Sequence, residues 1–123
     1  MLVILNGVVT IMMEMGSLVT SILILKKWLE GLSNVANRVK GKPHVVAMGM
    51  RNELRGPNQD KNNWHKYMSQ GATTVHKVNS NVLVFVSGLN YDTDLSFLKT
   101  MPLNVSIGNK LVYEVHSYAW FTK

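Results

Sequence analysis

Runs that are apolar without alternation, set between stretches of helical period, give this chain its pattern. Residues 45–50 and 82–86 are two such runs. Strands of this kind are buried on both faces, as in parallel sheets with helices on either side. Residues 110–115 predict a third strand, and residues 1–5 alone make a further buried one. Between them Trp28, Leu29, Leu32, Val35, Ala36 and Val39 recur at helical spacing, leaving Lys27, Glu30, Asn34 and Lys40 wet. Gly41-Lys42-Pro43 ends that helix. Trp64, Tyr67, Met68, Gly71, Ala72, Val75 and Val78 predict a second helix, with Asn62 and Asn63 suited to capping it. His76 lies beside its apolar face, where packing is the expected role. Residues 95–101 predict a short helix stopped by Pro102. Strand, helix, strand, helix, strand with short connections is the βα pattern of a parallel sheet.

Polar residues collect where the strands end, and in such sheets the ligand crevice lies beyond the strands' carboxyl ends. Asn52 and Glu53 follow the run at 45–50, while His116, Tyr118 and Trp120, with Phe121 nearby, follow the run at 110–115. Asp92 and Asp94 lie in the loop after residue 86. They have no EF-hand spacing, so capping or solvation is the expected role.

Composition narrows the choices. With 123 residues, 46% hydrophobic and 16% charged, the chain can form one domain with a real core. The net charge of +6 comes from Lys and Arg scattered from Lys26 to Lys123 without a dense run, so no nucleic-acid partner is expected. No cysteine is present, and His44, His65, His76 and His116 lack metal-ligand spacing, so neither a metal nor another cofactor is expected. The first 25 residues are apolar but broken by Asn6, Gly7, Glu14 and Gly16 and followed by Lys26-Lys27. A signal anchor is one reading, but a charge at mid-span costs about 2.5–3.5 kcal/mol, and no basic residue precedes the run. A membrane is therefore not the expected partner.

Asn52-Glu53 closing one strand and His116-Ser117-Tyr118 closing a strand two units later resemble the fourth and sixth strands of glycoside hydrolase family 5. The stretches at 50–57 and 87–95 are similar to the plant cellulase-like members, and the resemblance runs from Trp28 to the end of the chain. It implies a fragment of a (β/α)8 TIM barrel, roughly strands three to six with their helices, over residues 28–123. It implies a retaining hydrolase of β-linked polysaccharide, of cellulose or mannan type, with Glu53 as acid/base. A partly dehydrated cleft and a second carboxylate would raise its pKa. Asn52 would bond the sugar 2-hydroxyl, His116 and Tyr118 would line the site, and Trp120 would offer an aromatic face or pack in the core. No metal and no cofactor belong to that site, and the expected partner is a β-linked oligo- or polysaccharide. The family is typically secreted, although no credible signal peptide begins this sequence.

Two departures stand out. The family's nucleophile lies on its seventh strand, about 5–5.5 Å from the acid/base. Glu14, Glu30, Asp60, Asp92, Asp94 and Glu114 match no such position, so hydrolysis is expected to be absent. Residues 1–27 are the second departure. The plant relatives carry there a polar third-strand loop similar to Asp-Gly-Asn-Gly-Phe-Phe-Gly-Asp-Lys-Tyr-Phe, and plausible codons for it, read one base later, give residues 13–23 of this chain. Residues from about 6 to 27 are thus read as a frame-shifted version of that loop. A carbohydrate-binding or interaction fragment and a membrane-anchored small α/β protein are the alternative readings.

Overall fold

The structure is a computed structural model, and it describes residues 3–4, 18–57 and 59–120. Four strands, β1 (Val3–Ile4), β2 (Ala47–Gly49), β3 (Leu83–Ser87) and β4 (Leu111–Glu114), form one sheet in the order β1-β2-β3-β4, with every neighbouring pair parallel. Consecutive parallel neighbours are the arrangement expected for successive strands of a barrel. Ladder bonds reach past β2 at both ends: Leu83 donates to the Val46 carbonyl at 2.9 Å and Met50 to the Phe85 carbonyl at 2.9 Å. The paired backbone therefore covers most of the run read from the sequence.

Helix α1 (Leu18–Val39) begins well before the period that Trp28 opens, because neither proline nor glycine interrupts residues 18–30. Its face is the predicted one, with Trp28, Leu32, Ala36 and Val39 buried and Lys27, Glu30, Asn34 and Lys40 exposed. The frame-shifted loop read from residue 6 onward, including Glu14, lies outside the described residues as far as Ser17. No helix among the described residues is long and apolar enough to cross a membrane.

Helix α2 (Lys61–Val78) is capped by Asp60 rather than by the asparagines. The Asp60 carboxylate accepts the amides of Asn62 at 2.8 Å and Asn63 at 3.0 Å, which fall inside the first turn. An acid at this position also suits the positive end of the helix dipole. The other end is tied down by Asn79, whose buried side chain donates to the Ala36 carbonyl at 3.3 Å and joins the carboxyl ends of both helices. The helices approach closely at Gly71, where a Cβ would stand 2.7 Å from Cη2 of Trp28 and 3.2 Å from Cδ1 of Leu32.

The expected burial on both strand faces holds through β2, whose three residues are all buried, and on one face of β3. Val84 and Val86 of β3 join Met48, Met50, Trp28, Leu32, Trp64 and Val75 in a single core between sheet and helices. Their neighbours Leu83 and Phe85, which alternate to the other face, are only half-buried, and Val46 is exposed at the amino-terminal rim of the sheet. The predicted helix at 95–101 is one 3-10 turn, Ser96–Lys99, anchored by buried Phe97, which packs edge-on against Trp64 at 4.8 Å between ring centroids. Each large apolar side chain shut into this core contributes about 1.5–3 kcal/mol.

Candidate active site

The carboxyl ends of β2, β3 and β4 share one rim, and side chains lock them together there. Trp64 of α2 donates its indole N–H to the Ser87 carbonyl at 2.8 Å, and the Ser87 hydroxyl donates to the Arg51 carbonyl. The backbone on either side of β3's end is thereby fixed before the loops begin. Beyond Gly88, where a Cβ would come 2.5 Å from the Asp94 carbonyl oxygen, the chain folds back in a bridge between Leu89 and Asp94.

Glu53 stands at the centre of this rim in left-handed backbone, with φ of 47°. Its Oε1 accepts the Tyr118 hydroxyl and lies 3.0 Å from Nδ1 of His116, while its Oε2 is 3.9 Å from an Arg55 guanidinium nitrogen. Three donors or cations thus converge on one carboxylate. The sequence reading expected the Glu53 pKa to be raised, whereas the structure holds it below the usual carboxylate value. The Tyr118 bond is the largest cause, then the His116 bond, and burial opposes both only in part. No second carboxylate lines its cavity among the described residues, so the like-charge repulsion that would raise it is missing.

His116 faces carboxylates with both ring nitrogens: Nε2 is 3.4 Å from Glu114 Oε1 and 3.7 Å from Asp92 Oδ2. An ionised carboxylate only accepts hydrogen bonds, so this surrounding favours the doubly protonated ring, in which both nitrogens donate. Burial pushes its pKa down, but the Glu53 bond and the charges of Asp92 and Glu114 outweigh that and raise it. Tyr118 is held above its ordinary value by the carboxylate that takes its proton's bond.

A cavity of about 380 Å³ opens in front of these groups, lined by Glu53, Asn90, Tyr91, Thr93, Tyr118 and Trp120. Trp120 is 78% exposed and stacks on Tyr118 at 4.7 Å and 20°, so core packing is excluded for it. Asn52 sits in the bend before Glu53, half-buried and outside the cavity lining, and His116 stands behind Glu53 rather than in the wall.

Sequence reasoning missed Asp92. The expected solvated loop residue is fully buried at 0% exposure, and it accepts the Glu53 amide on Oδ2 at 3.0 Å. Burial pushes its carboxyl pKa up, against the bond from Glu53 and the charge of His116. Its neighbour Asp94 does cap, accepting the Ser96 amide at 2.9 Å and hydroxyl at 2.7 Å. The one usable signal was position, since the loop leaving β3 must lie on the same rim as Glu53. Asp92, Glu114 and His116 bring oxygen and nitrogen atoms within 4.8 Å of one another, the one grouping among the described residues with the geometry to hold a metal ion. The ion pairs to His116 already account for that arrangement.

A profile of the family described as cellulase (glycosyl hydrolase family 5) matches residues 4–123. A glycosyl hydrolase 5 family protein of Chamaecyparis obtusa is 48% identical over 93 residues, which are 76% of this chain and 17% of that protein. The catalytic domain of the major endoglucanase of Xanthomonas campestris pv. campestris superposes with a TM-score of 0.66 at 28% identity, over 76% of this chain and 32% of that one. A β-glucanase of Saccharophagus degradans superposes at 0.69 and 19% identity, over 76% of this chain and 29% of that one. The same enzyme, in complex with cellotetraose, superposes at 0.68. This chain therefore spans less than a third of the relative and of that β-glucanase. Its parallel sheet and covering helices are a section of a (β/α)8 barrel, and the chain belongs to glycosyl hydrolase family 5.

Proposed function

We propose that these residues form the acid/base half of a site that cleaves β-linked glucan, with Glu53 as the proton-transferring carboxyl. The observation that carries this reading is the convergence of Tyr118 and His116 on one oxygen of Glu53, at the mouth of a cavity walled by aromatic rings. As an acid, Glu53 gives its proton to the glycosidic oxygen while the C–O bond breaks. As a base, it takes a proton from the water that attacks the sugar carbon. The free site favours the base form, because its donors stabilise the carboxylate.

Asn52 bonds the sugar 2-hydroxyl on this reading, a role the family resemblance supports. Trp120 and Tyr91 are the ring faces on which a pyranose rests, and the cellotetraose held by the Saccharophagus β-glucanase supports a glucan ligand. Double displacement needs a second carboxylate about 5–5.5 Å from the first. Among the described residues Glu53 is the one carboxylate in the cavity wall, which favours binding without turnover for this chain.

Calorimetric titration with cellotetraose, run beside an aryl β-cellobioside assay, tests both statements. Binding with no aryl release is the expected result. Absence of binding at millimolar ligand overturns the site, and release that Glu53→Gln abolishes overturns the inactivity.

A further inference from the structure

Asp92 touches no part of the cavity, yet both groups behind it depend on this residue. Its Oδ2 takes the amide of Glu53 at 3.0 Å, and its backbone carbonyl takes the amide of His116 at 2.9 Å. The loop after β2 and the segment after β4 are thus bonded to one residue of the loop after β3. We propose that Asp92 is the positioning residue of this site, holding Glu53 and His116 in register from behind while its own carboxylate stays shut away from the ligand. The proposal rests on Glu53 being the proton-transferring group.

The backbone argues for the same role. Asn90, Tyr91 and Asp92 all have positive φ, at 51°, 58° and 61°, and Glu53 has 47°. Left-handed backbone is unfavourable for an L-residue, and three in succession persist only where the surroundings fix them. Asn and Asp tolerate that conformation, and Tyr91 is held in it by donating its amide to the Leu54 carbonyl at 2.8 Å. Asn90 donates its amide to the Gln59 side chain at 2.8 Å. The loops after β2 and β3 therefore brace each other through three hydrogen bonds around Asp92, and Glu53 is bent toward the cavity where they meet.

Burying a carboxylate is costly unless it is bonded or paired. Asp92 is fully buried with one oxygen lacking any hydrogen-bond partner, so packing alone would favour an apolar residue here. What the carboxylate supplies is an acceptor for Glu53 and a negative charge 3.7 Å from Nε2 of His116. The other charged groups facing this pair are Glu114 on β4, Arg51 beneath the loop and Arg55 beside Glu53. Arg51 is itself buried and feels the Asp92 charge.

The test compares wild type, Asp92→Asn and Asp92→Ala by NMR, following the Glu53 amide, the Glu53 carboxyl and the His116 ring through pH, with and without cellotetraose. Asn keeps an acceptor on the Glu53 amide but removes the charge. It is expected to leave that amide protected while His116 titrates lower than in wild type. Ala removes both, and the Glu53 amide is expected to exchange at least tenfold faster with cellotetraose bound roughly tenfold more weakly. Asp92→Asn with His116 titrating as in wild type overturns the proposal, and that variant decides the matter if the alanine variant does not fold. Shifted titrations in a protein that binds no cellotetraose uphold the positioning of the pair and overturn the glucan reading instead.

Discussion

The Tyr118 hydroxyl donates to Oε1 of Glu53 across 65 residues of sequence, and it is the largest single influence on that carboxyl. Tyr118→Phe keeps the ring and its stack on Trp120 while removing the donor. The Glu53 pKa is then expected to rise toward the ordinary value of 4.5, read from the carboxyl carbon resonance through a pH titration. An unmoved titration would mean that His116 and Arg55 alone hold the carboxylate.

The Glu53–His116 pair sets a window of maximal stability. His116 has its folded pKa raised above 6.5, so its contribution is fully present below 6.5 and is lost as pH rises through the raised value. Glu53 has its folded pKa lowered below 4.5, so its contribution is present above 4.5 and is lost as pH falls through the lowered value. Asp92, with its pKa raised above 3.8 by burial, acts in the His116 sense and favours folding on the acid side. Urea midpoints measured across pH are expected to fall from 6.5 upward in wild type, and to be flatter there in His116→Gln. A parallel decline in both proteins would remove His116 from the account.

Much of this was legible because it is written in local patterns. The helical period from Trp28 to Val39 and the apolar runs at β2 and β3 specify their elements and the parallel sheet follows from their alternation. Glu53, His116 and Tyr118 were legible as a group because each follows a strand whose carboxyl end lies on the same rim. Asp92 was not, because its burial depends on a left-handed turn braced by Leu54 and Gln59, contacts that lie more than thirty residues away. The direction of the Glu53 pKa was equally hidden, since it depends on which neighbours donate to it and not on its sequence context. The cap of α2 went to Asp60 over two adjacent asparagines because only the acid stands one residue outside the first turn.

Two glycines in helices give opposite expectations. Gly71 lies where a Cβ would crowd Trp28 at 2.7 Å, and Gly31 has nothing within 4 Å of its would-be Cβ. Overpacking a core costs about 1–3 kcal/mol, and replacing a helical glycine by alanine gains up to about 1 kcal/mol. Gly71→Ala is therefore expected to destabilise by on the order of 1 kcal/mol net, and Gly31→Ala to stabilise by somewhat less. Urea unfolding of the two variants checks this, and equal effects of one sign would mean that the contact between α1 and α2 yields freely.

Trp120 offers the cleanest separation of binding from folding. Its ring is 78% exposed and leans on Tyr118 alone among the aromatic side chains described, so nothing in the core is lost when it is removed. Trp120→Ala is expected to leave the unfolding free energy from urea titration within about 0.5 kcal/mol of wild type, the range for surface changes. Stacked against a pyranose, the same ring would bury a face that water now wets, and losing it is expected to weaken cellotetraose roughly tenfold, about 1.4 kcal/mol. Calorimetry on the two proteins reads this directly. Equal affinity would move the sugar off the Tyr118–Trp120 stack and onto Tyr91, whose ring lies on the opposite loop with Arg55 at 5.8 Å from its centroid. Tyr91→Ala would then carry the loss in its place.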